Sequence, residues 1–224
     1  MYYTQRRRLS YRDVMNTYQK ILAAALVLVW VIAAIHPPDR EGWLLENVIV
    51  FIGVPVIVLI GRYFRLSNFS WTCLAVFMVL HIVGSHWTYA RVPFGDFVGH
   101  LIGTDRNMYD RVVHFSFGLF FAYPMREIFV RVTGARGIWS YLFPFDVVLS
   151  LSALYEIFEW ATAIIVDPNS AATFIGSQGD FWDTQKDMAT AGVGALIAVI
   201  CVFAYNMIRT TGSRQEMRES FKIG

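Results

Sequence analysis

The sequence predicts an all-α membrane protein, a polytopic bundle of about six transmembrane helices, and three observations lead to this fold class. Hydrophobic residues make up 56% of the 224-residue chain and charged residues only 16%, which is too apolar for an ordinary water-soluble domain. The apolar residues gather into runs of roughly 17–25 residues, the length of a helix that spans a bilayer. Lys and Arg concentrate in alternate connections between these runs, as they do in multi-pass membrane proteins.

Six apolar runs define the predicted helices in chain order. They cover residues 18–35, 44–60, 71–89, 112–130, 139–166 and 188–208. They divide the chain into a basic N-terminal segment, residues 1–17, a six-helix transmembrane domain, residues 18–208, and a basic tail, residues 209–224. A basic start before an apolar run also fits a secretory signal, but no clear small-residue cleavage site follows, so we expect a retained anchor.

The distribution of Lys and Arg determines the expected orientation. Basic residues cluster before span one, between spans two and three, between spans four and five, and after span six. The other connections, residues 36–43, 90–111 and 167–187, together hold nine acidic and five basic residues. Because cytoplasmic connections carry the excess of Lys and Arg, both termini are expected to be cytoplasmic.

Charge and cysteine content exclude several classes of partner and site. The formal net charge of +2 reflects the basic cytoplasmic clusters, and no nucleic-acid motif accompanies them, so nucleic acid is not an expected partner. The two cysteines, Cys73 and Cys201, lie inside predicted spans without a Cys or His partner at ligand spacing. A disulfide framework or a thiolate metal site is therefore not expected.

Ionisable residues lie in or against four of the predicted spans. A charge at the centre of a membrane helix costs ~2.5–3.5 kcal/mol even on a lenient scale, so such residues indicate a site. At ~1.5 Å per helical residue they all fall in the outer half of the membrane, and we predict that they converge there. The candidate metal ligands are His86, Asp110, His114, Glu156, Glu159, Asp183 and Asp187.

Spacing within each helix supports this convergence. Residues three or four apart share a helix face, which applies to the pairs Asp110/His114, Glu156/Glu159 and Asp183/Asp187. His81 and His86 are five residues apart, so only one of them is expected to face the others, and depth favours His86. Among all of these, His114, Glu156 and Glu159 are the candidates for acid–base catalysis.

Structural roles compete with the functional ones. Asp110 is also suited to cap the helix that follows it, with His114 bonded to a neighbouring carbonyl. The segment 184–187 matches a capping box, and Asp183 can interact with the helix dipole. The pair Glu156 and Glu159 has no capping role, which leaves protonated structural hydrogen bonding as its alternative. The connections 90–109 and 167–187 are long enough to be functional lids.

Four segments carry a resemblance to a known family. Residues 86–89 read HWTY, residues 110–118 DRVVHFSFG, residues 155–159 YEIFE and residues 182–188 WDTQKDM. In these motifs, and over nearly the whole chain after the basic N-terminus, the sequence resembles the YjdF family of bacterial inner-membrane proteins. The resemblance implies a multi-pass protein of the inner membrane and no particular activity. The starts of spans four and six also look like those of VanZ-type membrane proteins.

Three function classes are consistent with these residues. The first is a metal-dependent or acid–base enzyme acting on a lipid or lipid-linked substrate, with a carboxylate and imidazole site suited to Zn, Mn or Fe. The second is a small proton- or cation-coupled transporter, and the third a structural or regulatory membrane subunit. The sequence lacks the Glu-x-x-His pattern of di-iron bundles and the His-Glu-x-x-His pattern of zinc proteases.

Overall fold

A computed structural model describes residues 15–63, 65–165 and 175–209, together with residues 212, 215–217 and 220. None of these described residues lies in a β-strand. The predicted N-terminal segment and tail lie mostly outside this part of the chain. The main helices are α1 (Thr17–Ala33), α2 (Arg40–Tyr63), α3 (Asn68–Trp87), α4 (Pro93–Leu101), α5 (Tyr109–Thr133), α6 (Trp139–Ile165) and α7 (Asp183–Arg209).

Apolar length identifies the helices that can cross a membrane. By length and composition α3, α6 and α7 are long and apolar enough to do so, with 20, 27 and 27 residues, and α1 is apolar but shorter at 17 residues. The helices α2 and α5 coincide with predicted spans two and four. The all-α membrane fold class is thus confirmed, whereas six spans and two cytoplasmic termini stay predictions.

The helix α5 is the centre of the bundle and packs against α3, α4, α6 and, most extensively, α7. Small residues bring α5 and α7 close together. A Cβ atom on Gly118 would clash with the backbone of Ala191, and one on Gly194 would clash with the backbone of Phe115. Because small residues let helix backbones approach closely inside a membrane, the ionisable residues near the starts of α5 and α7 are also held side by side.

The connection before α5 contains the short helix α4, where the sequence predicted a long loop. Pro93 begins this helix, a position at which the missing N–H of proline costs nothing. Gly95 and Gly99 are buried, and a Cβ atom on either would clash with residues of the following turn, 106–109. For the second predicted lid, residues 166–174 lie outside the described part, and residues 175–182 lead into α7.

Candidate functional site

His114 lies at the centre of the candidate site, one turn into α5. Its Nε2 atom is 3.5 Å from Oδ1 of Asp110 on the same helix and 3.6 Å from Oε1 of Glu156 on α6. The side chains of all three residues are mostly or fully buried. The i,i+4 spacing on α5 therefore aims Asp110 and His114 in one direction, toward the face of α6 that carries Glu156.

Asp187 of α7 joins this group and makes it a candidate metal centre. Asp110, His114 and Asp187 each offer one ligand atom, and these three atoms all lie within 4.8 Å of one another. We refer to these three residues as the Asp–His–Asp group. No other set of His, Cys, Asp and Glu residues in the described part of the chain meets this condition. A mixed carboxylate and imidazole set suits Zn, Mn or Fe.

Two acceptor atoms of the site lack hydrogen-bond partners in the described part of the chain. Oε1 of Glu156 and Oδ1 of Asp187 are buried, and neither has a hydrogen bond in the described part of the chain. Orphaned buried polar atoms are rare in native proteins, and an ion or a water is a common explanation for them. The residues present thus fit a bound cation.

Arg111 is the main feature of the site that the sequence analysis missed. Its guanidinium group is buried and forms ion pairs with Oδ2 of Asp187 and, at 2.6 Å, with Oδ1 of Asp183. Asp183 also pairs with Arg106 at 2.5 Å. Asp183 is thus neutralised by two arginines and stands outside the Asp–His–Asp group, whereas Asp187 keeps one oxygen free. The signal was available, because Arg111 directly follows Asp110 at the start of an apolar span.

The arginines continue into an ionic network at the rim of the site. Arg111 is 3.2 Å from Asp180, and the ammonium group of Lys186 is 2.7 Å from the same carboxylate. The hydrogen bond from Lys186 lowers the pKa of Asp180 below its usual range. Asn107 and Gln178 exchange two hydrogen bonds of 3.0 Å. The turn before α5 and the segment before α7 are thereby joined.

Glu159 faces a separate small cavity beside the Asp–His–Asp group. We call this space the carboxylate cavity. It has room for about one water-sized guest. Its lining residues are Glu46, Tyr89, Asp110, Tyr155, Glu159, Ile175 and Gly176. Glu46 of α2 was not among the predicted site residues, although a glutamate inside an apolar span is the same signal that selected Glu159.

The positions of the two histidines of α3 differ from the expectation that His86 faces the other site residues. Nδ1 of His86 lies 2.7 Å from the backbone oxygen of Ala33 at the end of α1. Nδ1 of His81 lies 2.6 Å from the hydroxyl of Tyr89, which lines the carboxylate cavity. His81 is thus the histidine of α3 that the structure brings toward the site. A five-residue spacing alone does not determine which of two side chains faces a neighbour.

Comparison with known proteins identifies the family. Residues 18–207 match the family model described as "Predicted membrane protein (DUF2238)". The chain is 38% identical over 179 residues to the inner membrane protein YjdF of Escherichia coli (strain K12). These aligned residues cover 80% of this chain and 85% of that protein. No solved structure matches. The chain therefore belongs to the DUF2238 family of membrane proteins, and it is a multi-pass protein of the inner membrane. The likeness to VanZ-type proteins stays a resemblance.

Proposed function

We propose that this DUF2238 protein is a metal-dependent enzyme acting on a lipid or lipid-linked substrate from the outer side of the inner membrane. One observation carries the proposal: ligand atoms of Asp110, His114 and Asp187 lie within 4.8 Å of one another in a buried position. The unpartnered oxygen of Asp187 adds to it, because a bound cation would compensate that buried charge.

Each residue of the site has a distinct proposed role. Asp110, His114 and Asp187 would hold the ion, which supplies a Lewis acid toward a carbonyl or phosphoryl oxygen when bound. Glu156, 3.6 Å from His114, would accept and return a proton. Arg111 neutralises one oxygen of Asp187, so the group keeps two carboxylates and one imidazole for a divalent ion.

The proposed orientation determines which face of the membrane the site serves. The Asp–His–Asp group lies near the first residues of α5 and α7, and the Lys and Arg distribution favours an outer position for both helix starts. Reporter fusions after Gly137 and after Ile223 should therefore read cytoplasmic, and a fusion after Asn169 should read periplasmic. An opposite reading at Asn169 or Ile223 would overturn the six-span topology.

A second candidate function is a small proton- or cation-coupled transporter. The observation that favours it is the carboxylate cavity, in which Glu46, Asp110 and Glu159 come from three different helices and no basic residue is among the described lining residues. Ionisable groups inside a membrane domain often mark ion or proton pathways. Solute movement into liposomes that depends on Glu159 would favour this function over the enzyme.

Turnover of lipid in micelles tests the enzyme directly. Detergent-purified protein is incubated with a bacterial lipid extract and Zn²⁺ or Mn²⁺, and the products are identified by mass spectrometry. We expect a new product with the wild type and with Asp146→Asn, a matched control at an exposed position of α6. His114→Ala and Asp187→Asn should lose it. Metal-bound wild type that converts no lipid would count against the enzyme.

A further inference from the structure

The carboxylate cavity has the chemistry of a binding site for a small cation. One carboxylate reaches it from each of three helices: Glu46 from α2, Asp110 from α5 and Glu159 from α6. Tyr89, Tyr155, Ile175 and Gly176 are the other described lining residues. None of the described lining residues is basic, so within the described part of the chain the wall does not balance the acidic charge in this space.

Two of the three carboxylates lack strong partners. Glu159 is only 9% exposed, and within the described residues it forms no hydrogen bond or ion pair. Glu46 is 4% exposed, and the bond that it receives from the Tyr155 hydroxyl is long, at 3.4 Å. Burying a carboxylate without a partner is expensive. A donor in the cavity would remove that cost.

The geometry distinguishes between kinds of cation. Glu46, Asp110 and Glu159 do not form a set with ligand atoms within 4.8 Å, since the Asp–His–Asp group is the one such set among the described residues. They are therefore too far apart to share one small ion such as Zn²⁺ or Mg²⁺ at ligand distances of about 2.0–2.2 Å. A primary ammonium group is larger than a bare ion, is close to water in size, and offers three N–H donors.

Both components of the wall suit an ammonium group. Carboxylates accept short, charge-assisted hydrogen bonds from ammonium donors, and tyrosine rings attract cations over their faces. We propose that the carboxylate cavity binds a primary ammonium group, with Glu159 and Glu46 as its acceptors and Tyr89 and Tyr155 as its aromatic walls.

The position of this cavity indicates a substrate class. Asp110 belongs both to the cavity and to the Asp–His–Asp group, so a bound ammonium group would lie beside the proposed metal centre. This step rests on the proposed function: the substrate of the enzyme would be an amine-bearing lipid or a small primary amine. The binding of the ammonium group does not depend on the metal.

Ligand-dependent melting of the full-length protein in detergent tests the binding. Protein treated with a chelator is titrated with ethylammonium chloride, with tetramethylammonium chloride as a bulkier cation without N–H donors, and with ethanol as a neutral analogue. Because a ligand that binds only the folded state raises Tm, we expect a saturable rise with ethylammonium alone. Equal rises with all three compounds, or none with ethylammonium, would overturn the proposal.

Variants locate the site and separate it from the metal centre. Glu159→Gln and Glu46→Gln should each weaken ethylammonium binding roughly tenfold, since each removes a charged acceptor. Asp146→Asn on the same helix should not change it. Asp187→Asn should lose metal and still bind ethylammonium. Glu159→Gln should retain metal and bind ethylammonium more weakly. Unchanged ethylammonium affinity in both Glu159→Gln and Glu46→Gln would refute the assignment, and if Glu159→Gln does not fold, Glu46→Gln and the ligand series decide.

Lipid composition identifies the source of the amine. In nanodiscs of phosphatidylethanolamine, a lipid headgroup in the cavity would compete with ethylammonium and raise its apparent Kd relative to nanodiscs of phosphatidylcholine, which is also zwitterionic but has no N–H donor. Equal apparent Kd values in the two lipids would instead identify a free amine as the ligand. Both results keep the ammonium site, and loss of ethylammonium binding in both lipids would contradict it.

Discussion

Glu127 on α5 and Glu159 on α6 are both largely buried carboxylates, yet their surroundings differ. Glu127 accepts hydrogen bonds from the backbone N–H of Ser67 at 2.9 Å, from the hydroxyls of Ser67 and Ser70, and from Arg131 at 2.5 Å. Glu159 has no such partner within the described residues. A carboxylate that only joins helices can be saturated by neighbours, whereas an unsaturated one has capacity left for a ligand.

The aspartates that Arg111 and Arg106 contact resemble Glu127, because they too have strong partners. Arg111 and Arg106 compensate Asp183, and Arg111 also compensates one oxygen of Asp187. The acids of the carboxylate cavity have no such cations among the lining residues that the structure describes. The molecule thus combines a charge-balanced network at the start of α7 with an unbalanced group immediately beside it, and the two should respond differently to substitution.

Removing Arg111 should have the largest effect on stability. Arg111→Met leaves the buried Asp187 without its arginine partner and Asp183 with Arg106 alone, and breaking a buried ion pair in this way costs about 3–5 kcal/mol. The free energy of unfolding in mixed micelles measures the loss. Lys186→Met is the matched control, because the Lys186 side chain is 54% exposed and such pairs contribute at most about 1 kcal/mol. Equal losses in the two variants would contradict the proposed balance of charges.

Glu127 should be the next most sensitive position. Glu127→Gln replaces one accepting oxygen by an amide that donates, so donors at the start of α3 lose their partner. We expect a loss of about 1–3 kcal/mol in the free energy of unfolding, with no change in metal content. A variant as stable as the wild type would mean that saturation by hydrogen bonds does not distinguish structural carboxylates here.

Glu159→Gln should change stability little. The variant removes an unpaired buried carboxylate and introduces a neutral amide, which is cheaper to bury, so we expect a free energy of unfolding within about 0.5 kcal/mol of the wild type or higher. The measurement is the same unfolding experiment, made without added ligand. A loss as large as that of Glu127→Gln would show that Glu159 joins helices and would remove the contrast between the two residues.

The sequence was sufficient for the features that depend on one helix at a time. Apolar run length predicted α3, α6 and α7, and the i,i+4 rule predicted that Asp110 and His114 point the same way. The convergence of the ionisable residues was predicted from their depth, but which particular side chains meet between helices was not accessible. The contact of Arg111 with Asp187 requires the close approach of α5 and α7 at Gly118 and Gly194, and spacing along one chain does not contain that information.

Two further differences between the sequence-based expectations and the structure, at α4 and at Glu46, also arise from packing between elements. The helix α4 was predicted as a loop because Gly95 and Gly99 lower helix propensity, and the packing of these glycines against the following turn outweighs that preference. Glu46 lies inside predicted span two but was missed because it is the third residue of that span, where a charge is less costly than at the centre. Only the approach of α2 to Tyr155 makes it part of the site.

The smallest expected effect is the pH dependence of stability that comes from Asp180, at the rim of the arginine network. The folded state lowers the pKa of Asp180 through its hydrogen bond from Lys186, so the ionised form stabilises the fold. This contribution is complete above the usual aspartate pKa of about 3.9 and is lost as pH falls through the lowered value. Melting curves of wild type and Asp180→Asn should therefore differ near neutral pH and converge in strong acid. A difference that grows with acidity would contradict this sign.

Metal content tests the central claim most directly. After equilibration with Zn²⁺ or Mn²⁺ and removal of free ion, detergent-purified wild type and Asp146→Asn should each retain about one ion per chain, as measured by elemental analysis. Asp187→Asn and His114→Ala should retain none, and Glu159→Gln should retain the ion. Wild type without bound metal, or Asp187→Asn with as much metal as wild type, would contradict a metal centre at Asp110, His114 and Asp187.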